Sequence, residues 1–111
     1  MPDARTFELH ADICKTLANP WRLRLIHALR RGERSVAELV RELGAPKANV
    51  SQHLALMRAK GVVESRREGA YVYYRLADPR IVEAFRLMRN VLRARLRRTA
   101  ALAKQFGRSA A

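Results

Sequence analysis

The 111-residue chain is expected to fold as a mainly α-helical domain with one small β-hairpin. Three features support this. Apolar residues recur at helical spacing over most of the length, and helix-start and helix-stop residues punctuate them at short intervals. A single stretch after Gly61 changes to an alternating pattern instead.

A first amphipathic helix over residues 5–18 is expected to bury Phe7, Ile13 and Leu17 and to end at Asn19-Pro20. Asn19 is a good N-cap and Pro20 a good first helical residue, so a second helix follows at once over 20–31. It carries Trp21, Leu23, Leu25, Ile26 and Leu29 as core candidates and stops at Gly32. Ser35-Val36-Ala37-Glu38 has the spacing of a capping box, in which hydroxyl and carboxylate each satisfy a backbone donor at the helix start. It opens a short third helix over 35–43, closed by Gly44. Only Ala45 separates Gly44 from Pro46, which opens a fourth helix over 46–60 that ends at Gly61.

Two helices joined this tightly, the second with a polar outer face, have the pattern of a helix-turn-helix. An ordinary helical hairpin packed into a core would have the same spacing. On the fourth helix Val50, Leu54 and Met57 form a narrow inward stripe, while Ala48, Asn49, Gln52 and Ala55 point away from it. Lys47, Ser51, His53 and Arg58 flank that outer side. Small residues and amides edged by cations suit the approach of something flat and negatively charged.

Residues 62–76 read as two β-prone runs joined by Glu68-Gly69-Ala70, a hairpin that makes a wing directly after the helix-turn-helix. Arg66 and Arg67 near its tip are placed to reach a phosphate backbone, or else are the solvated charges of a sheet edge. Asp78-Pro79 repeats the cap-plus-proline device and starts a last helix over 79–106, ahead of Gly107. Ile81, Phe85, Met88, Leu92 and Leu96 lie on one side of it and Arg86, Arg89, Arg93 and Arg97 on another. So long an apolar stripe calls for a second subunit, giving a homodimer with the first and last helices at its interface. The whole chain is expected to be one winged helix-turn-helix domain.

Twenty-three Lys and Arg against ten Asp and Glu give a net charge of +13, which argues for a polyanionic partner, nucleic acid before an acidic membrane. There is no apolar run long enough to span a bilayer and no secretory leader, so a cytoplasmic location is expected. Cys14 is the only cysteine, which excludes a disulfide within the chain and a Cys-rich zinc site within one protomer. No Ser/His/Asp order, glycine-rich phosphate loop or carboxylate cluster suggests an enzyme.

Taken together, LANPWRLRLIHAL, SVAELVRELG and NVSQHLALMRAKGVVESRREGAYVYYRL resemble the ArsR/SmtB family of winged-helix repressors over roughly residues 13–91. The resemblance implies a homodimeric, sequence-specific repressor that binds a palindromic operator in double-stranded DNA and leaves it when a metal or other small effector is sensed. It makes the fourth helix the recognition helix, with Lys47, Asn49, Ser51, Gln52 and His53 contacting DNA and Arg66, Arg67 and Gly69 belonging to the wing. Gln52 is assigned to base reading, because a carboxamide can bond two edges of adenine at once, and Asn49 shares that chemistry. Lys47, Ser51 and His53 suit phosphates, although His53 would serve equally as a neutral histidine hydrogen-bonded at the helix edge. A module that binds RNA or DNA without sequence preference, through its arginine-rich last helix, is the alternative.

The chain departs from the family at its usual effector sites. Where many metal sensors carry Cys-x-Cys, Ser35 and Ala37 stand here, and Asp78 is followed by Pro79 and Arg80 with no histidine further along the last helix. No metal and no cofactor is therefore expected. His10 and Cys14, four residues apart on one helix face, leave three options open: a metal or haem site completed by other groups, a sensory thiol, or a buried cysteine acting as a small apolar residue. The thiol leaves room for a redox effector, and a small-molecule effector is equally open. His27 is expected at the core edge, and Trp21, Tyr71, Tyr73 and Tyr74 in core and hairpin packing.

Overall fold

The computed structural model describes residues 1–110, with side chains as far as residue 106. Its internal contacts divide the chain into two compact units, Met1–Pro79 and a second that begins at Arg80. The first holds α1 (Ala4–Leu17), α2 (Pro20–Ala28), β1 (Arg34–Ser35), α3 (Val36–Leu43), α4 (Lys47–Ala59), β2 (Val63–Glu68) and β3 (Tyr71–Leu76). The second is α5 (Arg80–Ala110).

The punctuation works as chemistry. The Asp3 carboxylate accepts from the Thr6 backbone N–H at 2.8 Å and so starts α1. Asn19 Oδ1 accepts from the N–H groups of Trp21 and Arg22 and starts α2 behind Pro20. Both halves of the Ser35/Glu38 capping box are formed at the start of α3. α4 ends in a Schellman arrangement: the Gly61 N–H donates to the Arg58 carbonyl and the Val62 N–H to that of Met57. That geometry needs a left-handed residue, and Gly61 has φ +75°.

α2 stops at Ala28, short of the expected residue 31, because the next N–H groups tighten to i→i−3 bonds, Arg30 to the His27 carbonyl and Gly32 to that of Leu29. A turn then carries the chain to Gly32. α5 continues through Gly107, since a lone glycine costs a helix only about 1 kcal/mol. The sheet has three antiparallel strands in the order β1-β3-β2, not the two of a bare hairpin. β1 is two residues long and pairs Arg34 with Tyr74 and Ser35 with Tyr73, tying the start of α3 to the wing.

The core of the first unit closes around Leu25, Ile26 and Leu29, Leu39 of α3, Val50, Leu54 and Met57 of α4, and Val63 of β2, all essentially without solvent contact. Each such side chain stabilises the fold by about 1.5–3 kcal/mol. α1 contributes only its last turn, Thr16 and Leu17. Contrary to expectation Phe7 is half exposed and Ile13 only partly covered, because the apolar stripe of α1 before that turn is not needed to close this core. Trp21 and Leu23 are also substantially exposed, with the Arg24 guanidinium stacked 4.7 Å from the Trp21 ring. On α5 the apolar side chains Leu87, Met88, Val91, Leu92 and Leu96 are between 47% and 68% exposed.

Candidate nucleic-acid interface

The two sides of α4 are sorted as an outward-reading helix requires. Val50, Leu54 and Met57 face the core, and Lys47, Ala48, Asn49, Gln52 and Ala55 are exposed. The connection from α3 is three residues, Gly44-Ala45-Pro46, with Gly44 left-handed at φ +65° and Ala45 buried. Pro46 precedes the first helical residue and no side chain caps that end, so the leading N–H groups of α4 keep their bonding capacity. Ser51 is half-buried beside Lys47 in a groove of about 650 Å³. Val40 and Arg41 of α3 and Ala70, Tyr71 and Val72 of the wing line its other walls. α4 and the hairpin thus share one concave surface.

The wing divides its two arginines. Pairing of Arg66 with Tyr73 and of Arg67 with Val72 puts them on opposite faces of the hairpin. Arg66, also exposed, is engaged by partners within the chain: Nη2 lies 2.6 Å from a Glu33 oxygen, Nη1 lies 2.7 Å from Glu68, and the guanidinium stacks 4.5 Å from the Tyr73 ring. These bonds hold its pKa above the usual arginine value and the Glu33 carboxyl below the usual carboxylate range. Arg66 also borders a different groove, with Arg58, Glu64 and Arg75. The phosphate contact expected of Arg66 would therefore compete with its carboxylate partners Glu33 and Glu68. Arg67 is exposed and shares the face of Val72, which lines the recognition-helix groove. Gly69 sits in the turn at φ +60°, a conformation an L side chain rarely adopts.

His53 is partly buried, and its Nδ1 accepts from Arg22 Nε at 3.2 Å. Burial, then the neighbouring Arg22 charge, holds its pKa below 6.5. The helix-edge alternative for this residue, a neutral hydrogen-bonded histidine, matches the geometry. Arg22 could not have been picked out from the sequence, since the pair is 31 residues apart and no local pattern announces it. Arg41 in the groove wall was likewise missed, being one more cation on a helix rich in charge.

The effector candidates fall differently. Cys14 is exposed in the single chain and takes no part in its core, and His10 is exposed as well, because both lie on the part of α1 outside that core. Among the described residues no three His, Cys, Asp or Glu side chains come together as metal ligands would. Ser35 is buried and engaged as the N-cap of α3. His27 is exposed on α2 beyond the core edge, since Leu25, Ile26, Ala28 and Leu29 take the inward positions. Tyr74 is buried, Tyr71 and Tyr73 pack ring to ring along β3 at 6.4 Å, and Tyr73 also packs across the hairpin against its β2 partner Arg66. No helix among the described residues is long and apolar enough to cross a membrane.

A tight helix-turn-helix, an outward polar face on its second helix and a three-stranded wing define a winged helix-turn-helix protein of the kind that binds DNA. The comparisons with known proteins agree. Residues 19–65 match the family described as bacterial regulatory protein, arsR family. The chain is 40% identical over 87 residues to an HTH-type transcriptional regulator of Mycobacterium tuberculosis, Rv0081, covering 78% of this chain and 76% of that one. The crystal structure of Rv0081 superposes with a TM-score of 0.77 at 36% identity, over 88% of this chain and 99% of that one. A homodimeric winged helix-turn-helix DNA-binding domain from Mycobacterium bovis gives a TM-score of 0.74 at 33% identity, over 86% of this chain and 91% of that one. The HTH-type transcriptional repressor SmtB of M. tuberculosis is 40% identical over 77 residues, 69% of this chain and 57% of that protein. The chain belongs to the ArsR family of DNA-binding transcriptional regulators, and is not an enzyme.

Proposed function

We propose that the protein is a dimeric, sequence-specific repressor, cytoplasmic, that sets one α4 from each protomer into successive major grooves of a palindromic operator and is released by a small effector. The single observation that carries this reading is the sorting of α4, with Asn49 and Gln52 exposed while Val50, Leu54 and Met57 are buried. Gln52, with Asn49 beside it, reads base edges. Lys47, Ser51 and the uncapped first turn of α4 hold phosphates, and Arg67 and Gly69 present the wing. His53 supports the helix from its edge. Dimerisation uses the exposed apolar faces of α1 and α5, as the M. bovis domain's homodimeric state supports. No metal is required, because Ser35 and Ala37 supply no thiolates, and Asp78 is followed by Pro79 and Arg80 with no histidine further along α5.

The test is binding to duplex DNA from upstream of the protein's own gene against random duplex, over a range of salt. Each neutralised phosphate adds about −0.9 to the log–log slope, so a steep fall with salt is expected together with a preference for the upstream duplex. Affinity is expected to be unchanged by EDTA. Equal affinity for both duplexes would leave a DNA-binding protein without sequence specificity. That second reading is favoured by the exposed cations Arg93 and Arg97 of α5, on the side away from its apolar stripe. It expects charge reversal at Arg93 and Arg97 to abolish binding, and Gln52→Ala to change nothing.

A further inference from the structure

The Arg22 guanidinium bridges three helices. It sits on the first turn of α2, where Asn19 fixes its backbone N–H at 3.2 Å. Its Nη1 donates to the Thr16 carbonyl at 2.8 Å, satisfying one of the backbone acceptors left open at the end of α1. Its Nε donates to His53 Nδ1 in the middle of α4. A guanidinium has donors only, so the bond to His53 exists only while that nitrogen keeps its lone pair, with the ring neutral and its proton on Nε2.

A second tie joins α1 to α4 two turns further on. Lys60, just after α4, binds both oxygens of the Asp12 carboxylate at 3.2 Å, and the Asp12 carbonyl accepts from Thr16 Oγ1. We propose that Arg22 is a positioning residue for DNA reading: it fixes the middle of α4 against the end of α1 through a neutral His53, and protonation of His53 breaks that tie, alters the set of the helix on its core and weakens operator binding. This deepens the proposed function and rests on it, since position 53 adjoins Gln52. The charge set against His53 comes from α2, as Arg22; the charges contributed by α1 and the end of α4, Asp12 and Lys60, are paired with each other. Burial and that guanidinium both favour the neutral ring.

The experiment has one arm without DNA and one with it. Nitrogen NMR of the free protein is expected to show His53 as the Nε2–H tautomer, titrating below 6.5, and Arg22→Met is expected to move that titration up. An Nδ1–H tautomer, or a titration indifferent to Arg22→Met, would overturn the proposal whether or not the protein prefers an operator. Binding to the upstream duplex and to random duplex is then followed from pH 7.5 to 5.5. Wild-type preference for the upstream duplex is expected to fall about tenfold on acidification, a change of about 1.4 kcal/mol. His53→Asn, which keeps an acceptor at the Nδ1 position but cannot titrate there, is expected to hold its preference constant. Preference that rises on acidification would show His53 acting as a cation on phosphate and would overturn the proposal, as would the same fall in His53→Asn. A wild type with no preference at any pH contradicts the proposed function instead. If Arg22→Met does not fold, the wild-type tautomer and the His53→Asn profile decide alone.

Discussion

Gln52 and Arg66 show how far a single side chain can be judged from its neighbours in sequence. Gln52 stands on the side of α4 away from three buried apolar residues, so its exposure followed from spacing alone. Arg66 and Arg67 also looked alike, yet adjacent strand residues face opposite ways, and Glu33, from a loop 33 positions earlier, neutralises one of them. Alternation was legible; the distant carboxylate was not. Gln52→Ala is expected to lower discrimination between the upstream and random duplexes by about 1–3 kcal/mol, with the salt slope unchanged, because an amide reads bases and neutralises no phosphate. Titration of both duplexes at several salt concentrations measures this. Ser35→Ala removes the side-chain half of the α3 cap and is expected to cost about 1 kcal/mol in urea unfolding. His53 adds a pH dependence of known sign. Its pKa is lowered in the folded state, so the unfolded chain binds more protons just below pH 6.5, and the His53 contribution to stability is lost as pH falls through that range. Denaturant midpoints of wild type and His53→Asn, compared from pH 7.5 downward, should diverge in that direction.

Helices whose ends carry strong capping chemistry were readable almost to the residue. Asn19-Pro20, the Ser35/Glu38 box, Gly44 and Gly61 each act locally, and each element starts or stops where they stand. The end of α2 was less legible, because Gly32 lies in a turn beyond the helix and does not close it. β1 gave no signal at all: two residues cannot show a period, and they become a strand only because Tyr73 and Tyr74 of β3 lie alongside. α1 misled for a different reason, since an apolar stripe shows that something must cover it and not what does. Gly61→Ala tests the Schellman closure of α4. The added Cβ would meet nothing within 4 Å, so the expected loss of roughly 1–2 kcal/mol is the cost of a left-handed alanine alone. Leu54→Ala, at the centre of the inner face of α4, is expected to cost about 2–5 kcal/mol and to lower DNA binding through loss of fold.

For the molecule as a whole, a basic winged-helix chain with exposed apolar faces on α1 and α5 is most simply completed by a second copy of itself. Leu92→Glu places a charge on the α5 face and is expected to shift the protein toward monomer in sedimentation, with a large loss of DNA affinity as one recognition helix is left to act alone. The central claim is that two copies of α4 enter the major groove one helical turn apart. Dimethyl sulfate footprinting reads guanine N7 in the major groove directly. Wild-type protein on the upstream duplex is expected to protect two clusters of guanines about 34 Å apart on one face of the DNA, symmetric about their midpoint. Protection at one cluster, or spread evenly along the duplex, would contradict the account.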